Sequence, residues 1–501
     1  MQNKFHVKTT AIIIIILLIE VNIISIITVG DNVNYGYQFN FDNDEKFNKI
    51  RNIKLYMPPY EEWNKSFGGV EFDISYSVEQ TTDGGYILAG RTGSYGAGSM
   101  DVWLIKTDAN GDEIWNKTFG GAESDWGYMS HQTSDNGYII GGGTRSSGAG
   151  LEDVWLIKTD SSGNVQWSKT FGGTSYDYGY SVQQTTDDGY IITGYTDSYG
   201  SGSMDVWLIK TDANGDEIWN KTFGGTSYDY GYSVQQTTDD GYIIVGYTGS
   251  YGKGYSDAWL IKTDANGDEI WNKTFGGEDD DFAYCVQKTT DTGYILAGRT
   301  WSYGAGLNDA WLIKTDSSGN KQWSKTFGGT SYDYCYSVQQ TPDNGYILAG
   351  GTQSFVIGPN ADAWLIKTDS NGNELWNETF GGYGHDKAYS IQYITNDRYI
   401  MAGGYDSYKK DNDAWLIKVL GRRSLRTTFI IGRITDVNKN NDYISFKAVK
   451  LLYMHLFPFQ LIVYNSGEKI TITNLYLGII SKKIIFGFFR MPISSSLDYF
   501  N

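Results

Sequence analysis

The run KTFGGTSYDYGYSVQQTTDDGYII stands at 169–192 and again, letter for letter, at 221–244. Identical runs 52 residues apart mark a tandem array, which must be read before any domain is counted. Working outward, the tryptophan opening W-[NS]-[KE]-[TS]-F-G-G recurs as Trp63, Trp115, Trp167, Trp219, Trp271, Trp323 and Trp376. A second marker, D-[VA]-W-L-I-K, places Trp103, Trp155, Trp207, Trp259, Trp311, Trp364 and Trp415 at the same period, to within one residue.

One unit decides the secondary structure. YSVQQTT (180–186) alternates and holds few helix formers, and DDG follows as a turn. GYIITGYT (189–196) is β-branched and aromatic, and DSYGSGSM is a glycine-rich loop. DVWLIKTD (205–212) and EIWNKTF (217–223) flank A-N-G-D, where Asn-Gly predicts a tight hairpin with positive φ at both central residues. Four short antiparallel strands in about 50 residues make one propeller blade.

The two markers are out of phase at the ends. EEWNKSF (61–67) precedes any third strand, and the last D-A-W-L-I-K (413–418) is followed by VLGRRS, with no hairpin and no Trp strand. The first strand therefore completes the last blade, a closure that leaves no open sheet edge. The expected fold is all-β: a seven-bladed β-propeller of four-stranded blades over 60–419. A linker at 31–59 precedes it and a small β-rich C-terminal domain at 425–492 follows.

The unit WxKTFGGxxxDxGYSVQQTxDGGYIIxGxTxSxGxGxxDxWLIKTDxxGxE resembles the β-propeller repeat of secreted bacterial and archaeal proteins. It is more distantly similar to quinoprotein-like propellers, through a D-x-x-G-x-x-x-W hairpin such as DANGDEIW (108–115), and to kelch blades, through ILAGGT (347–352). The resemblance covers about 360 of the 501 residues and implies a fold. Propellers host enzymes, lectins and scaffolds alike, so it implies no single activity.

Composition sets the address. The net charge of −18 argues against nucleic acid as a partner, since phosphate neutralisation needs clustered Lys and Arg. Lys4 and Lys8 precede AIIIIILLI (11–19) and VNIISIITVG (21–30), which reads as a secretory signal or, uncleaved, as a membrane anchor with Glu20 its one charge. Either way the rest faces outward, extracellular or at the cell surface, touching a membrane only through that anchor. The tail beyond Leu420 inverts the charge, with 11 Lys/Arg against 4 Asp/Glu. Cys285 and Cys335 occupy different repeat positions and read as small packed residues, not as a disulfide framework.

The repeated tryptophans read as core, because stacked blades need large apolar side chains on both faces. The strand lysines (Lys106, Lys158, Lys210, Lys262, Lys314, Lys367, Lys418) read as ion-paired with an Asp or snorkelling to the rim. TDANGD lacks calcium-loop spacing and reads as a turn. N-[KE]-[ST] supplies glycosylation sequons at Asn64, Asn116, Asn220, Asn272 and Asn377.

Binding residues are expected on the face carrying the 4→1 and 2→3 loops. It holds one carboxylate per blade, at Asp73, Asp125, Asp177, Asp229, Asp281, Asp333 and Asp386, flanked by Trp126, Tyr178, Tyr230, Phe282 and Tyr334. The 2→3 loops add Tyr199, Tyr251 and Tyr303. Carboxylates among aromatic faces suit a glycan or a protein partner, while Asx-type capping of their own loops would occupy the same carboxylates. Blades that depart from the consensus are better candidates for one specific site. These are GGEDDDF (276–282), whose Glu278, Asp279, Asp280 and Asp281 form a weak metal candidate, QSFVIGPNA (353–361), and GGYGHDKA (381–388) with His385.

No catalytic fingerprint appears: there is no G-x-S-x-G, H-E-x-x-H, P-loop or dinucleotide motif, and no cofactor is expected. Near-identical blades supply symmetry, whereas catalysis needs an asymmetric set of tuned groups. The expected role is non-catalytic binding or adhesion. The alternative is a glycoside hydrolase of endoglucanase type using loop carboxylates.

Overall fold

In the computed structural model, residues 59–356, 360–406 and 413–421 are described in full, and the remainder only as backbone strands. The chain divides into two units, Pro59–Gly421 and the two terminal segments together. The export segment at 1–30 falls outside the described residues, apart from the paired strands Ile14–Ile16 and Ser25–Ile27. Six strands between Thr428 and Phe489 form one antiparallel sheet, with Thr428–Lys439 flanked by Tyr443–Leu456 and Ile484–Phe489.

Pro59–Gly421 is a ring of seven four-stranded antiparallel sheets, with no helix among the described residues. Blade 1 runs Asp73–Gln80, Tyr86–Thr92, Asp101–Thr107 and Glu113–Phe119, from the axis to the rim. Blades 2 to 6 repeat it, beginning at Asp125, Asp177, Asp229, Asp281 and Asp333. Blade 7 takes Lys387–Tyr393, Arg398–Tyr405 and Asp413–Leu420 from the end of the ring and Tyr60–Phe67 from its start. Ala414 pairs with Phe67 and Lys418 with Trp63, and Arg398 reaches Glu62 at 2.9 Å across the same seam.

The second and third strands of a blade are buried on both faces, which is why YIITGYT and DVWLIKT read as apolar runs and not as alternation. Their side chains interleave with those of the next blade: Ile139, Val154 and Leu156 of blade 2 pack on Val182, Ile192 and Trp207 of blade 3. Burying one such aliphatic side chain contributes about 1.5–3 kcal/mol, and every seam repeats the pattern.

Most letters of the W-N-K-T-F-G-G heptapeptide have a packing role. Trp115 stands edge-on to Tyr138 of the next blade, at 5.9 Å, and lies where a Cβ on turn residue Gly163 would come within 2.8 Å of its ring. Gly163 has φ of 77°, so this turn needs glycine for both conformation and clearance. Asn116 Oδ1 accepts the Trp103 indole N–H at 3.2 Å, as Asn220, Asn272 and Asn377 do in their blades. Lys65, Lys169 and Lys221 each reach an Asp of the following blade's hairpin at 2.7 Å. The phenylalanines sit at the blade seams, and a Cβ on Gly120 would fall 1.9 Å from Asp101 and 2.7 Å from Asp125.

The Asn-Gly hairpins differ from expectation. Only the glycine takes positive φ; Gly111 N–H donates to Asp108 O, and the ladder slips one residue between Lys106 and Thr107. Asp108 Oδ1 accepts the Asn110 and Asp112 amides, so the side chain builds a wider turn with a bulge where a two-residue one was expected. The strand lysines pair as anticipated in six blades: Lys210, 5% exposed, reaches Asp187 at 2.9 Å, and the contact repeats from Lys106–Asp83 to Lys367–Asp343. Lys418 lies instead over the Trp63 and Tyr86 rings.

Candidate functional site

The seven loop aspartates lie together on one face, yet each is 0% exposed. Asp177 shows why: its Oδ2 accepts the Gly173 amide at 2.8 Å and the Ser198 hydroxyl at 2.6 Å, and its Oδ1 accepts the Thr196 hydroxyl. Asp73, Asp125, Asp229 and Asp333 make the same three bonds, and Asp281 takes the same amide and serine. Asp386 accepts the Gly382 and Asp406 amides. These carboxylates clamp the 4→1 loop to the 2→3 loop, the capping use weighed from sequence, and they are not presented to solvent. Glu278, Asp279, Asp280 and Asp281 do not converge: among the described residues no group of three or more His, Cys, Asp or Glu is placed to hold a metal ion. A hydrolase acting through the loop aspartates would need them accessible.

The 2→3 tyrosines are half-covered lids. Tyr199, Tyr251 and Tyr303, 44–48% exposed, donate their hydroxyls to Gly172, Gly224 and Gly276 carbonyls and lie over Trp207, Trp259 and Trp311. The sequon asparagines stand on the outer strands, exposed at Asn64, Asn116, Asn220 and Asn272 and half-buried at Asn377, and the amides of Asn116, Asn220, Asn272 and Asn377 also donate to a Glu three residues earlier. Cys285 and Cys335 are free thiols, and burial pushes both upward in pKa.

The channel itself carries what the sequence reading missed. In each innermost strand the ladder slips around one tyrosine, a β-bulge that re-aims it. Tyr76, Tyr128, Tyr180, Tyr232, Tyr284, Tyr336 and Tyr389 therefore meet ring to ring, at centroid distances of 4.8–5.3 Å, in a collar around the axis. Burial pushes all seven phenols above their ordinary pKa. Below the collar, Ser and Gln side chains cap the next blade's free amides, as Ser181 does for Val234 at 3.3 Å and Gln183 for Gln236 at 2.7 Å.

Above the collar the mouth is asymmetric. Across blades 2 to 4, Trp126, Tyr178, Tyr195, Tyr230 and Tyr247 form an aromatic arc, with Tyr178 stacked on Tyr195 at 4.9 Å and Tyr230 on Tyr247 at 4.8 Å. Its one cation, Arg145, is neutralised by buried Glu152 at 3.0 Å, which also accepts the Tyr178 hydroxyl. Across blades 5, 7 and 1 the same level carries Arg299, Lys387 and Arg91. Arg299 lies over Phe282 at 5.0 Å and Trp301 at 4.5 Å, Lys387 over Tyr334 at 5.5 Å, and Arg91 over Phe72 at 5.2 Å and Tyr76 at 5.9 Å. Among the described residues none of these three cations has a carboxylate within ion-pair distance, and the Nε atoms of Arg91 and Arg299 are buried without a hydrogen-bond acceptor. Burial, and then the Arg299 charge, lower the Lys387 pKa.

Blade 7 opens this mouth into a cavity of about 220 Å³, lined by Phe72, Ile74, Tyr76, Arg91, His385, Lys387, Tyr389 and Gly404. Gly404 stands where blades 3 and 4 carry Tyr195 and Tyr247, so a missing ring makes the room. His385 Nδ1 accepts the Ala361 amide at 3.4 Å, which leaves Nε2 to carry the proton of the neutral ring. A hollow of about 300 Å³ on the opposite face, between blades 1 and 2, is a scaffold seam whose Lys106 and Asp83 are committed to each other.

Fold and site together define a seven-bladed β-propeller, a fold consistent with a binding or scaffold role. No family model matches the chain. Among curated proteins it is 25% identical over 304 residues to the regulatory protein FlaEY of Caulobacter vibrioides, covering 54% of this chain and 30% of that protein. The chain thus spans under a third of that relative's length. Three solved structures show low likeness. Sqt1 from Chaetomium thermophilum is 12% identical, with 81% of this chain and 100% of that one covered and a TM-score of 0.42. The Pan2 WD40 domain of Neurospora crassa is 10% identical, with 69% and 88% covered and a TM-score of 0.43. A protein of unknown function from Dyadobacter fermentans is 12% identical, with 72% and 99% covered and a TM-score of 0.41. At such scores the fold rests on this chain's own strand pairing.

Proposed function

We propose that this chain is a non-catalytic binding propeller, exported to the cell surface or beyond, that takes a glycan or a protein partner at its channel mouth. The observation that carries it is the aromatic arc on the loop-bearing face, where half-buried Tyr178, Tyr230 and Tyr247 pack against buried Trp126 and Tyr195. Stacked aromatic faces on rigid strands offer large, pre-ordered contact area at little entropic cost. Export is supported by the basic residues and apolar run of 4–30, and the likeness of the repeat to those of secreted propellers points the same way. The expected face is retained, but its contact residues move from the clamped aspartates to the rings beside them.

The test is a glycan array and a partner-binding screen on the full chain, run in parallel with Tyr230→Ala and Tyr247→Ala, at the half-buried rings of the arc. Binding that weakens at least tenfold in both variants, each still melting cooperatively above the assay temperature, supports the mouth as the site. Binding that persists in both places it elsewhere.

A further inference from the structure

The cations of the mouth, without an acidic partner among the described residues, are the least expected feature of so acidic a protein. Three positive side chains stand at one level of the channel, in blades 5, 7 and 1, and each is a departure from its repeat. Arg91 and Arg299 stand where blades 3 and 4 have Tyr195 and Tyr247. Lys387 stands where other blades have Trp126, Tyr178, Tyr230, Phe282 or Tyr334. Elsewhere six of the seven strand lysines, and Arg145, are matched by an acid, as Lys210 is by Asp187 and Arg145 by Glu152. Holding cations together in a partly desolvated mouth costs free energy, and an anion that binds there recovers it.

We propose that the cavity between blades 7 and 1 binds the carboxylate of an acidic sugar, a uronate-type residue at the end or on a branch of a glycan. Arg91 and Lys387 would engage the carboxylate, His385 a ring hydroxyl, and Phe72, Tyr76 and Tyr389 the C–H face. This rests on the binding role proposed above and deepens it. The geometry favours a sugar over an acidic peptide in two respects. The cavity, about 220 Å³, lies below the roughly 300 Å³ at which sites for drug-sized ligands begin, so it admits one ring and not a folded segment. Its wall combines the cations with three aromatic rings, where an Asp or Glu side chain would need the cations alone. The Arg91 Nε, buried without an acceptor, is the donor such a carboxylate satisfies.

The experiment is calorimetric titration of the full chain with a matched pair of probes, trigalacturonate and its neutral counterpart galactotriose. It is repeated at two salt concentrations and with Arg91→Gln and Lys387→Met, whose melting temperatures are recorded. The acidic probe is expected to bind at least tenfold more tightly than the neutral one. That preference should shrink severalfold at higher salt and fall about tenfold in either variant, a hydrogen bond to a charged group being about that strong. Equal affinity for the two probes overturns the acidic-sugar assignment and leaves the binding role standing, as does an acidic preference untouched by either substitution. Failure of both probes to bind also overturns it, and if the Tyr230 and Tyr247 variants then lose no other ligand, the binding role falls separately. Should a variant not fold, the salt dependence and the probe pair on the parent decide alone.

Discussion

Replacing Asp177 by alanine separates a scaffold aspartate from a ligand-binding one. The carboxylate takes three hydrogen bonds at zero exposure, from the Gly173 amide, the Ser198 hydroxyl and the Thr196 hydroxyl. The two hydroxyls can turn to other acceptors, but the Gly173 amide is fixed by the backbone and is left buried without a partner. Stranding one donor costs about 1–3 kcal/mol, and each hydrogen bond to a charged group about 1.5–3. Against this, removing the charge relieves Asp153, whose pKa is raised by burial and then by Asp177 itself. The net expectation is a loss of about 2–4 kcal/mol, and Asp177→Asn, which keeps one acceptor, should lose about half of that. Urea unfolding followed by tryptophan fluorescence reads it: at a slope near 3 kcal/mol/M, the midpoint should fall by about 1 M. Ligand binding by the still-folded variant should stay close to the parent's. An unchanged midpoint together with lost binding would refute the clamp and restore Asp177 to the binding surface.

Three further outcomes follow from the same structure. Asp362 is pushed up to about 6, by burial first and Asp386 second, so the folded chain holds a proton there that the unfolded chain, near 3.8, releases. This group's contribution to stability is full below pH 3.8 and is lost as pH rises to about 6; Asp362→Asn should therefore gain on the parent in denaturation midpoint between pH 4 and pH 7. Breaking the Lys210–Asp187 pair should be lopsided: Asp187→Ala strands a 5% exposed lysine and should cost about 1–2 kcal/mol, screening by solvent at the 58% exposed carboxylate keeping it under the full buried-pair loss, while Lys210→Met should cost less, and a double-mutant cycle measures both. Gly120→Ala, whose Cβ would meet Asp101 held by the Ala97 and Gly98 amides, should destabilise by about 1–3 kcal/mol or prevent soluble expression, as thermal melts would show.

The architecture was legible because the same unit was copied seven times, so each strand's pattern was sampled repeatedly and the out-of-phase ends gave the closure. The Lys–Asp pairs were legible too, since both partners recur at fixed offsets. The collar was not. Strict alternation places Tyr180 on the same strand face as Tyr178, and only the bulge turns it to the axis. Nor were Arg91, Arg299 and Lys387, which sit inside strands and look like ordinary substitutions until the second strand's register sets them level with one another. His385 was visible as a departure from the repeat in a loop, but what it lines depends on Gly404, a residue distant in sequence. The aspartates lie on the expected face, but their carboxylates turn inward, because the threonine and serine that occupy them come from the end of the second strand and the loop after it.

The seam between Tyr60–Phe67 and Asp413–Leu420 has a consequence in time as well as in space. A chain made from its N-terminus presents Tyr60–Phe67 first, yet the strand it must pair with is the last of the ring to emerge. Six blades are complete in themselves, so they can form in order while the first strand waits, and the ring locks only when its final segment arrives. An interrupted chain keeps two open strand edges, one at each end, and these are the surfaces a protease or an aggregating neighbour meets first. Completion of synthesis and resistance to degradation are thereby tied to a single pairing event.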